Sequence, residues 1–147
     1  MLSTTGKTEL EQLRDYLEKG DYASALAVVT DLEDMSRECR VRQIASFIVV
    51  LLLHLIKRNA AAHSTRSWDV SIANAVVEIN EVQQSRNTKN ALLGEQELAA
   101  LLHNQYRRSL NVASLEAFGG IDVPDLEKKV NEDAIVSIAL ELLQSAA

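Results

Sequence analysis

One proline, one cysteine and five glycines among 147 residues leave this chain few ways to break a helix or staple a loop. Proline removes a backbone donor and crowds the preceding turn, so its scarcity lets helices run on. Cys39 has no partner for an intrachain disulfide and stands in a polar stretch. A reducing compartment is its natural setting, and a thiol nucleophile is not indicated. Basic residues are outnumbered 15 to 21, giving a net charge of -6, which opposes the general attraction that dominates nucleic-acid affinity. Glycine-rich phosphate loops are missing, since Gly119-Gly120 follows a helical stretch and no Gly-Lys-Ser/Thr step occurs. Metal-ligand spacing is missing too, because His54, His63 and His103 stand on separate segments without a cysteine or carboxylate placed to join them. No cofactor is implied. The N-terminal residues lack the apolar core of a signal peptide, and Glu9, Glu11 and Asp15 are foreign to a transit peptide. The expected location is the cytoplasm.

What the chain has in quantity is apolar, helix-favouring sequence, 47% of it hydrophobic. A single all-α domain over residues 1-147 is expected, a compact bundle of five to seven helices. Its centre is marked by the run Ile-Ala-Ser-Phe-Ile-Val-Val-Leu-Leu-Leu-His-Leu-Ile from Ile44 to Ile56. A bilayer takes about 20 apolar residues, so this run is too short to span one and reads as a buried helix, with no membrane contact expected. The periodicity predicts a first helix from Thr8 to Lys19 stopped by Gly20, and a second capped by Asp21 and ending near Asp34. A third, the central one, is capped by Ser36 and reaches Asn59, about residues 36-59. Ala60 to Arg66 connects it to a fourth helix capped by Ser67 and carrying Trp68, Ile72, Ala75, Val76, Ile79 and Val82. Gln84 to Asn90 is turn-like. A fifth helix follows from Gly94 to Leu115, then an amphipathic stretch opened by Pro124 that Asn131 or Asp133 divides.

The order Asp31-Leu32-Glu33-Asp34-Met35-Ser36, then Leu52-Leu53-His54-Leu55-Ile56-Lys57, then Arg66-Ser67-Trp68 with Ile72 and Glu78-Ile79, resembles a bacterial family, domain of unknown function family twenty-nine. The likeness runs from about Leu10 to Val130 and includes Tyr106-Arg107, where the family tends to have a tyrosine followed by basic residues. It departs in two places. Asp15-Tyr16 is all that remains of an aromatic opening, and Arg86-Asn87-Thr88-Lys89-Asn90 replaces a Pro-Ser-Leu step. The resemblance implies a small all-helical bundle and no established activity.

Two constellations are candidates for chemistry. His54 and Lys57 share a helix face, and Ser67-Trp68 opens the next helix near the same end of the bundle, so an imidazole and an ammonium beside an aromatic wall could hold an anion or exchange a proton. Each also has a purely structural explanation: histidine bonded to a loop carbonyl, lysine at the negative helix end, serine as cap, tryptophan as core plug. The second is Arg58-Asn59-Ala60-Ala61-Ala62-His63, the Arg-x4-His spacing of helical ribonucleases of the HEPN superfamily. There a dimer would let Arg58 steady phosphate charge and His63 support attack by a 2'-hydroxyl. The plainer reading is a solvated loop. Arg37, Arg40 and Arg42, and Tyr106-Arg107-Arg108, are basic clusters with acids close by. With no aromatic or glycine interleaved between the arginines, they read as solvated faces rather than a nucleic-acid surface. The expected function is non-enzymatic, binding of a protein partner or a second copy through an apolar stripe, Leu26 to Leu32 or Ile135 to Leu143. The alternative is a metal-independent ribonuclease or RNA-binding protein using Arg58 and His63.

Overall fold

The computed structural model describes residues 8–84 and 91–146. They form an all-α structure with no strand: α1 Glu9–Lys19, α2 Tyr22–Ala61, α3 Arg66–Gln83, α4 Glu95–Glu116, α5 Val123–Glu127 and α6 Glu132–Ser145, with one 3-10 turn at Ala117–Gly119. The chain divides into two compact units, 1–41 and 42–147, so the division falls within α2.

In the first unit the local signals act as their chemistry dictates. Thr8 caps α1, its hydroxyl accepting from the Glu11 N–H at 3.1 Å. Gly20 closes the helix with φ 74°, a conformation that a side chain would strain, and the Gly20 and Asp21 amides donate to the carbonyls of Leu17 and Tyr16. The Asp21 carboxylate then accepts from the Ser24 N–H at 3.2 Å and starts α2. The stop expected near Asp34 and the new start at Ser36 do not occur, because α2 continues for 40 residues. The physical reason is the lack of glycine or proline between Thr30 and Arg40: serine inside an exposed helix costs only about half a kcal/mol against alanine, too little to end one.

In the second unit the expected central segment is the core of α2. Ile44, Ile48, Leu51, Leu52, Leu55 and Ile56 are all but inaccessible and recur at helical spacing along one face. Burying a leucine or isoleucine stabilises by about 1.5–3 kcal/mol each, so this face is a large part of what holds the unit together. The run is not enclosed on every side, since Val50 stays exposed while Phe47 and Val49 are half-buried. By length and composition alone α2 is long and apolar enough to cross a membrane; its inward face is packed as that of a core helix is.

Ala62, with φ 57°, turns the chain out of α2. The cap of α3 is Thr65, whose hydroxyl accepts from the Trp68 N–H at 3.1 Å; Ser67, expected to cap, lies exposed in the first turn. Ile72, Ala75, Val76 and Ile79 face inward. At the end of α3 the buried Gln83 amide clamps the chain's return, donating to the Leu93 carbonyl at 3.1 Å and accepting from the Leu93 N–H at 2.7 Å. Most of the expected turn at Gln84 to Asn90 lies outside the described residues. Gly94 precedes α4, and Glu97 accepts from its N–H at 3.1 Å. Pro124 sits in the first turn of α5 and Asn131 caps α6, so the division expected at Asn131 or Asp133 falls at Asn131. Helix α4 packs on α5 and α6, and α3 packs on α6, where the Asn80 amide donates to the Leu143 carbonyl at 3.2 Å.

Candidate functional site

The C-terminal turns of α2, the connection after it and the first turn of α3 bring together His54, Lys57, Arg58, His63 and Trp68, and the end of α4 adds Glu116. Lys57 is buried, yet its Nζ donates to Glu116 Oε1 at 2.9 Å and lies 5.1 Å from the centre of the Trp68 ring. An ammonium taken from water in this way needs both a counter-ion and a polarisable face, and here it has them. Trp68 is half-buried rather than a core plug. On its ring lies the imidazole of His63, with centroids 5.7 Å apart and planes 26° from parallel.

His54 is half-buried, and its Nδ1 is enclosed without a hydrogen-bond partner among the described residues. Its pKa is lowered, first by burial and then by the Lys57 charge, with Glu116 pulling the other way. At neutral pH the imidazole is therefore uncharged. The bond from His54 to a loop carbonyl that the sequence suggested is not made by Nδ1; His63 instead has its Nδ1 3.0 Å from the carbonyl of Ala61, the last residue of α2. A carbonyl only accepts, so the proton of this contact is on Nδ1.

Arg58 stands 3.6 Å from Asp69, an ion pair rather than a hydrogen bond, and Asp69 also accepts from the Ser64 hydroxyl at 2.5 Å. The two cations, Lys57 and Arg58, thus each face one carboxylate. Within these two pairs the charges balance, while Arg66, exposed in the first turn of α3, stands beside them. Ser67 contributes nothing to the cluster beyond its place in the turn. Arg37, Arg40 and Arg42 each have a bonding or electrostatic partner, and Arg107 donates to Glu127 at 2.6 Å. Among the described residues no group of three or more histidine, cysteine or acidic side chains could hold a metal ion.

Glu116 and Asp69 were not visible as site residues from sequence. Glu116 did leave a signal, because a carboxylate in the last turn of a helix opposes the helix dipole and so suggests a cation from elsewhere. Asp69 could be suspected only once Thr65 was known to start α3.

Fold and cluster together define a small all-helical protein whose longest helix, α2, ends in an ion-paired aromatic seam. The chain belongs to the family described as Domain of unknown function DUF29, whose model matches residues 7–131, a span that takes in every residue of this cluster. No curated protein and no solved structure matches the chain.

Proposed function

We propose that this protein is a non-enzymatic, cytoplasmic protein-interaction module and that its first unit carries the binding surface. The observation behind this reading is the apolar exposure of α1 and the first half of α2. Leu10, Leu17, Tyr22, Leu26 and Met35 each keep half or more of their surface in water, up to 70% for Tyr22. Single exposed leucines are ordinary, but five large apolar side chains within 26 residues are not. Leu10 and Leu17 are two turns apart on one face of α1; Tyr22 and Leu26 are one turn apart on α2.

The setting of this surface specifies its partner. Between Thr8 and Val41 stand nine acidic and four basic residues, so the apolar side chains lie in a strongly negative field. A partner that buries them favourably presents apolar side chains flanked by lysine or arginine. Face-to-face pairing of two copies through the same patch is opposed by its own charge. The stripe from Ile135 to Leu143 is the weaker candidate, because Ile135, Val136, Ala139 and Leu143 are already buried in the second unit.

The test is the native mass of the full chain in a gently prepared extract of its own cells. The wild type should migrate well above its monomer mass of 16.2 kDa, and Tyr22→Asp/Leu26→Asp should return it to monomer without loss of helical content. Monomeric migration of the wild type counts against the proposal.

A further inference from the structure

We propose that the cleft between α4 and the α5–α6 segment is a binding site for a primary alkylammonium group, carried either by a free amine or by a lysine side chain. It stands independently of the function proposed above. The cleft is open to solvent and has a volume of about 210 Å³. At roughly 30 Å³ per water-sized group, it takes a chain of about five to seven heavy atoms.

The residues of α4 that line it, His103, Tyr106, Arg107 and Leu110, follow helical spacing along one face. Opposite them Glu127 ends α5 and Glu132 begins α6. His103 Nδ1 lies 2.7 Å from Glu132 Oε2, and Arg107 Nη1 lies 2.6 Å from Glu127 Oε1. Each carboxylate has two oxygens able to accept, and each uses only one of them on a protein donor among the described residues. Between these pairs stands Tyr106. It is only 6% exposed, it lines the cleft, and its hydroxyl makes no hydrogen bond to any described residue. The hydroxyl opens onto the solvent of the cleft, where it is placed to accept from a bound donor.

Charge decides which ligand fits. With His103 neutral, Arg107 and the two glutamates sum to one negative charge; with His103 protonated they sum to zero. In neither state is the cleft positive, so a carboxylate or phosphate ligand has no charge to draw it. The Tyr106 phenol supports this, its pKa pushed up to about 12 by burial and by the charges of Glu132 and Glu127. The phenol stays neutral, and its oxygen can accept from an ammonium N–H while the idle carboxylate oxygens accept the others. Leu110 and Val130 supply apolar wall for a methylene stem.

The experiment titrates the full chain with butylammonium, 1,4-diaminobutane and an Nα-acetyl-lysine amide, with butanol and butyrate as controls, following amide shifts by NMR. Butylammonium should give saturable shifts concentrated between His103 and Glu132, with butanol and butyrate about tenfold weaker or silent. Glu132→Gln, an exposed change that keeps the shape, should weaken binding roughly tenfold, as loss of a charge-assisted contact does, and Tyr106→Phe should weaken it several-fold. Glu18→Gln, in the first unit, should change nothing. Tighter binding of the lysine amide than of the free amines assigns the ligand to a protein side chain, and the reverse order assigns it to a free amine; either sustains the site. Butyrate binding as well as butylammonium, shifts spread over the acidic surface, or an unchanged affinity in Glu132→Gln would overturn it.

Discussion

Removing either partner of the Lys57–Glu116 pair should have unequal consequences, and the inequality follows from burial. The Lys57 side chain is 9% exposed and that of Glu116 47%. In Glu116→Ala the ammonium stays enclosed with only the Trp68 face for company, and the lost charge-assisted hydrogen bond sets a destabilisation of about 2 kcal/mol. In Lys57→Met the stem still packs, the charge is gone, and the half-exposed Glu116 is recovered by water, so the loss should stay below about 1 kcal/mol. In the Lys57→Met background, Glu116→Ala should then change stability by no more than about 0.5 kcal/mol. Urea unfolding reads all three directly. With a denaturant slope of about 2 kcal/mol per molar, Glu116→Ala lowers the midpoint by about 1 M. Trp68, the only tryptophan, provides a local fluorescence signal to set beside the helical signal of the whole chain. Equal losses in the two single variants, or a larger loss in Lys57→Met, would refute the account of the seam.

His54 binds its proton less readily folded than unfolded, so its contribution to stability is complete above the unfolded pKa near 6.5 and is lost as pH falls through the lower folded value. Wild type should therefore lose stability from pH 7 to 5 more steeply than His54→Gln, by at most about 1.4 kcal/mol per pH unit; parallel curves would contradict this. Thr65→Ala should cost about 1 kcal/mol and Ser67→Ala less than about 0.5, which thermal melts can separate. At Ala62, where φ is 57°, glycine removes a strained side chain, and Ala62→Gly should raise stability by roughly 0.5–1 kcal/mol against a similar loss for Gly20→Ala.

What could be read from the sequence was whatever is decided within a turn or two of the chain. Thr8 and Gly20 bound α1, Asp21 starts α2 and Asn131 starts α6 because each acts on backbone groups three or four residues away. The same local reading overvalued Ser36, where a capping residue was present but nothing forced the helix to stop, and chose Ser67 over Thr65 two positions earlier. The candidate site was half legible. Lys57 and Trp68 do meet, as the shared end of two helices suggested. Glu116 completes the seam from 59 positions away, a pairing set by how α4 packs, which no spacing in one sequence encodes. Arg58 and His63 stand five positions apart in the sequence. Their partners, Asp69 and the Trp68 ring, could be found only in three dimensions.

The proposed interaction surface is tested most directly by a photoreactive amino acid placed at Leu26 in the full chain and activated in cells, with Gln144 on α6 as the control position. A discrete adduct to another protein from Leu26, absent from Gln144 and abolished by Tyr22→Asp, is the result predicted. Uncrosslinked monomer alone from both positions would contradict it.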